Sequence, residues 1–156
     1  MRRVLLMAML AAVIIPFAAR AQTKTDFSGT WTLDAAKSDP PPQGRGGGGG
    51  GGRGAAGPVE IKQTAAEITI GQATYRLDGS ESKNEVMGRG GAQTVVSKAH
   101  WDGAKLVIEG TREIQGFVIT TKDVRSLSAD GKEMTVQTAI STPQGDQNRK
   151  TVYTKS

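Results

Sequence analysis

The sequence predicts an all-β domain: an antiparallel meander of eight to ten short strands, closed into a small barrel, with a two-sheet β-sandwich as the competing architecture. Three observations carry this. Beyond residue 58, apolar residues recur at every second position in short runs, the period of a strand that buries one face. Asp-Gly pairs at 78–79, 102–103 and 130–131 punctuate the runs and tolerate the positive φ values of tight hairpin turns. No stretch sustains helical periodicity over a window of about eleven residues. Consecutive hairpins read as a meander, and closing it removes the exposed edges, which favours the barrel.

The elements follow in order. Residues 26–38, DFSGTWTLDAAKS, open the domain with a strand at 27–33 that turns Trp31 inward. DAAKS at 34–38 is the best helical candidate, a turn or two at most. Residues 39–58, DPPPQGRGGGGGGGRGAAGP, cannot pack: seven consecutive glycines carry no side chains, and prolines cannot join a ladder. This stretch is expected to be a flexible surface insertion that interrupts a single β domain spanning 26–155.

Past the insertion, VEIKQT (59–64) places Val59 and Ile61 on one face, and EITI (67–70) does the same for Ile68 and Ile70. ATYRLDG aligns Tyr75 with Leu77 ahead of the Asp78-Gly79 turn. QTVVSKAHWDG aligns Val95, Ala99 and Trp101 before Asp102-Gly103, and KLVIEGTR continues at once with Leu106 and Ile108. FVITTKDVRSLS is a longer, less cleanly alternating strand. EMTVQTAIS aligns Met134, Val136, Thr138 and Ile140, and the turn at 143–146 leads into NRKTVYTKS.

The N-terminus has a different character. Arg2 and Arg3 precede an almost unbroken apolar run from Val4 to Phe17, and Ala19-Arg20-Ala21 supplies small residues at the positions a signal peptidase reads. Residues 1–21 are therefore expected to be a cleaved signal peptide, with the chain delivered to the periplasm or secreted. The apolar run is too short to span a bilayer, which needs about 17–25 residues, so no membrane span is expected after cleavage. Cleavage would also remove Arg2, Arg3 and Arg20 and no acidic residue, taking the formal charge from +5 to +2. The basicity is thus largely a targeting feature, and no nucleic-acid partner is expected. With 0 cysteines the domain has neither disulfides nor thiolate chemistry.

The search for chemistry returns no catalytic, metal or cofactor residue. His100 is the single histidine; alternation sets it opposite Ala99 and Trp101, on the solvent face beside Lys98. One histidine without cysteine does not make a zinc site, and no serine lies in a nucleophile elbow. Asp78, Asp102 and Asp130 each precede glycine, where a short acidic side chain caps its own turn. The remaining glutamates scatter among lysines and threonines as solvated faces do. The glycine run lacks the Gly-Lys-Ser/Thr ending of a phosphate loop. The chain is read as a non-enzyme without a cofactor.

The Gly29-Thr30-Trp31 step at the start of this meander resembles the Gly-x-Trp signature of lipocalins and the wider calycin group. FSGTWTLDAAKS, together with YRLDG, KAHWDGAKLVI, SLSADGKEMTV and STPQG downstream, is similar to a family of small exported bacterial lipocalin-like proteins. The resemblance covers residues 26–38 and 59–155. It implies that Trp31 packs across the closed end of a barrel, with an arginine near the last strand lying over it; Arg149 is the one arginine of the final segment. It also implies that the interior holds a small hydrophobic molecule. Trp31, Trp101 and Tyr75 are the candidate residues for plugging the barrel or lining the ligand. A filled core would instead imply a structural or interaction domain working on a protein of the cell envelope.

Overall fold

The computed structural model describes residues 24–40, 57–88, 91–114 and 116–156. The proposed signal segment and most of the glycine-rich insertion lie outside the described residues. The chain forms one antiparallel sheet of ten strands: β1 (Gly29–Leu33), β2 (Val59–Gln63), β3 (Glu67–Ile70), β4 (Ala73–Arg76), β5 (Glu81–Gly88), β6 (Gly91–Asp102), β7 (Lys105–Ile114), β8 (Phe117–Leu127), β9 (Glu133–Thr142) and β10 (Gly145–Lys155). Their order across the sheet is β4-β3-β2-β1-β10-β9-β8-β7-β6-β5. Every neighbour in sequence is a neighbour in space, and β10 returns to pair with β1. One continuous sheet curling on itself is a nearly closed barrel, not a two-sheet sandwich.

The turns behave as their residues dictate. Gly103 sits at φ 60° between β6 and β7, a conformation that costs glycine nothing. Asp78 Oδ1 accepts from the Ser80 amide and hydroxyl, and Asp130 Oδ1 from the Ser128 hydroxyl and the Lys132 amide. DAAKS forms a turn closed by the Asp34 carboxylate, which accepts from the amides of Ala36 and Lys37. β5, ESKNEVMG, shows no apolar alternation and gives no strand signal in the sequence. It is an edge strand that pairs on one side only.

Closure between the edges β4 and β5 relies on side chains. The Asn84 amide acts as a surrogate peptide group: its Oδ1 accepts from the Thr74 amide at 2.9 Å and its Nδ2 donates to the Thr74 carbonyl at 3.0 Å. One step away, the Ser82 hydroxyl accepts from the Arg76 amide at 2.9 Å. Backbone groups that would otherwise template further pairing are thereby occupied.

The wall has two heights. β1 to β4 are four or five residues long, whereas β6 to β10 run ten to twelve. At the end where all strands overlap, Phe27, Trp31, Ile61, Ile68, Leu77, Ala99, Leu106 and Met134 form a closely buried core. Toward the other end only the tall strands continue.

Candidate functional site

Register assigns each inward side chain to a layer, since residues facing one another on neighbouring strands share a face. The floor contains Trp31, which is fully buried and donates its Nε1–H to the Phe27 carbonyl at 2.8 Å. Gly29 explains the first half of the Gly-x-Trp step. Its φ is 138°, and a Cβ there would lie 2.5 Å from Lys155 Cε. The bare backbone lets the Lys155 side chain cross it and place Nζ 5.4 Å from the Trp31 ring centroid, a cation–π geometry. The cation over the tryptophan is therefore Lys155 and not Arg149. Arg149 stands six residues earlier on β10, opposite Thr138, well above the floor.

Trp101 lies at the closed end of β6, its ring stacked on Phe27 at a centroid distance of 6.1 Å. Both tryptophans thus belong to the floor, at the end away from the opening. Tyr75 is different. It faces inward from β4 opposite Ile68, and its hydroxyl is pushed up by burial, with Arg125 opposing and Asp123 adding to the shift. Those two residues stand on β8, so Tyr75 faces their charges across the interior.

Above the floor the inner face turns polar. Asp123 Oδ2 accepts from Arg125 Nη2 at 3.3 Å and Asp123 Oδ1 from the Thr138 hydroxyl at 2.7 Å. Arg149 is the register partner of Thr138, and Ser82, Ser97 and Thr151 are buried in the same belt. Higher on β7, Arg112 faces Ile119. Burial pushes its guanidinium below the usual arginine value. The Nε atoms of Arg112, Arg125 and Arg149 are all buried without a hydrogen-bond partner. On the described inward positions of the tall strands, these three guanidiniums face one carboxylate, Asp123.

Exposure then rises along each tall strand. On β8 the inward series runs from Arg125, 6 % exposed, through half-buried Asp123, Thr121 and Ile119 to Phe117, 57 % exposed. On β9 it runs from buried Met134 and Val136 to half-buried Thr138 and Ile140. Burial thus falls from an apolar floor through a polar belt to an apolar, exposed rim. Two shallow open grooves of about 440 and 350 Å³ lie on the outer wall, lined by solvated residues such as Lys122, Asn148 and Lys150; they follow the saddle twist of the sheet. His100 is exposed on that outer face. Among the described residues no group of three or more His, Asp or Glu side chains could hold a metal ion.

The fold defines the class: a nearly closed, ten-stranded antiparallel barrel consistent with the calycin-like architecture. Comparison of the sequence with protein-family models and with curated proteins returns no match.

The sequence reading missed Arg112, Arg125 and Asp123. The signal was present as parity: Leu106, Ile108 and Gly110 lead in steps of two to Arg112, and Leu127 leads back to Arg125 and Asp123.

Proposed function

We propose that this chain is an exported, non-catalytic lipocalin-like barrel that binds a small amphipathic molecule through its open end, on the inner face of β7 to β10. The observation that carries this reading is the two-height wall. The short strands seal a floor around Trp31, and the tall strands extend past it with an inner face that is lined by both guanidiniums and apolar side chains and grows more exposed toward the rim. A barrel serving only as a packed scaffold gains nothing from buried arginines with unpartnered nitrogens, because unpaired polar groups cost stability. Residues 1–21 would deliver it to the periplasm or the exterior.

The direct test is native mass spectrometry of protein recovered from the envelope fraction of its own cell. A co-purifying adduct of lipid-like mass supports the reading. Bare protein that also fails to take up any amphiphile added in solution would overturn it. An N-terminus at Gln22 in the recovered protein supports export; a retained Met1 refutes it. A second reading has one observation in its favour. Met87, Phe117 and Val118 are 71 %, 57 % and 56 % exposed, an apolar set at the open rim that suits contact with an envelope protein.

A further inference from the structure

We infer that Arg112 is the receptor for an anionic head, a carboxylate or phosphate, on the ligand of this barrel. The inference rests on the binding reading above and adds the chemical class of what is bound. Arg112 is 8 % exposed, faces inward on β7, and has Ile119 as its register partner on β8. Two residues further toward the rim stand Ile114 and its partner Phe117. On the floor side, Gly110 is closed over by Thr121, Ser97 and Val95. Among the described residues Arg112 makes no ion pair, and its Nε has no partner.

The nearest inward carboxylate does not supply the missing charge. Asp123 is already engaged by Arg125 and Thr138, and on β8 it lies four residues beyond Ile119, the residue opposite Arg112. A guanidinium whose Nε is buried without a partner, and which meets no counter-charge among the described residues, is expensive to keep. Its planar fork matches two oxygens of a carboxylate or phosphate better than any other ligand group. Val95, Ile114, Ile119 and Phe117 around it favour an apolar remainder. The ligand class is therefore an amphiphile with a single anionic head, in contact with the inner face of β7 and β8.

Titration calorimetry of the protein, as purified from the cell that makes it, with dodecanoate, dodecyl phosphate and dodecanol tests this. The three share one chain and differ in the head, so the two anions also distinguish a carboxylate from a phosphate source. At least one anion should bind about ten-fold or more tightly than the alcohol, the scale of one charge-assisted contact. Arg112→Met should bring that ratio to within about two-fold, whereas Lys98→Met, on the outer face, should leave it standing. Arg112→Gln, read in parallel, keeps the test open if the methionine variant does not fold. An alcohol that binds as tightly as the anions, or a preference that survives both Arg112 variants, overturns the inference and leaves the barrel a binding module. Failure of all three compounds to bind overturns the binding reading itself.

Discussion

Replacing Arg112 by methionine should make the unliganded protein more stable. Arg112 is 8 % exposed and without an ion pair or an Nε partner among the described residues. Methionine is unbranched, of similar reach, and apolar like the flanking Val95 and Ile119. Exchanging buried ionic groups for well-packed apolar ones stabilises proteins by about 1–4 kcal/mol. A single residue near the open end belongs in the lower half, about 1–2 kcal/mol. With a urea slope of about 1–3 kcal/mol per molar, the unfolding midpoint should rise by roughly 0.5–1 M. Trp31 and Trp101 sit in the floor and report unfolding by fluorescence. Because a guanidinium stays charged at any working pH, the gain should be the same at pH 6 and pH 9. Arg125→Met is the internal control of opposite sign: it strips Asp123 of its cation and should cost about 2–4 kcal/mol. A loss of about 3 kcal/mol or more in Arg112→Met would refute the reasoning, because it would mean that Arg112 has a structural counter-charge of its own.

Asn84→Ala removes both hydrogen bonds to Thr74 across the β4–β5 seam and should cost about 1–3 kcal/mol; hydrogen exchange at the Thr74 amide should accelerate more than at amides in β9. Gly29→Ala forces a side chain into φ 138° and displaces Lys155 from the Trp31 ring. Strain of about 1–3 kcal/mol and a lost cation–π contact of about 0.5–1 kcal/mol should appear together as a lower urea midpoint. Asp26, Asp78 and Asp130 are held below the usual carboxylate value, chiefly by the side-chain hydrogen bonds of Ser28, Ser80 and Ser128. Depressed carboxyls contribute stability that is complete above about pH 4 and is lost as pH falls through their folded values. Acid titration of the double variant Asp78→Asn, Asp130→Asn should therefore be flatter on that limb than the parent.

Much of the fold was legible because its strongest signals are local. Period-two alternation placed Ile61, Ile68, Ile70, Leu77, Ala99, Leu106, Ile108 and Val136 inside, and all of them are buried. β5 was not legible, because Glu81, Lys83, Asn84 and Glu85 offer no apolar stripe. It is held by its ladder with β6 and by what Ser82 and Asn84 do across the seam, and a hydrogen bond between strands distant in the sheet order leaves no periodic trace. Phe27, which the sequence reading places in a strand at 27–33 without a role of its own, precedes β1, is fully buried, carries the acceptor for Trp31 and stacks on Trp101.

The inner arginines were hidden for a different reason. Reading strands by hydropathy looks for apolar side chains on the inward face, so Arg112 and Arg125 receive no role from it even though the parity of their own strands turns them inward. Where parity and hydropathy disagree, parity must win: a ladder cannot rotate one residue to the other face without a bulge, and the pairing of β7 with β8 runs unbroken from Leu106 to Ile114. The disagreement is then informative. At Trp31, Ile61, Ile68 and Leu106 the two criteria coincide, and the burial of these side chains stabilises the fold. They part company on the tall strands, first at Arg125, in register with Leu106 and Val136, and then at Asp123 and Arg112. Charges kept inside at a net cost do not serve the packing of the sheet; under the binding function proposed above, they are the groups that an entering ligand would meet.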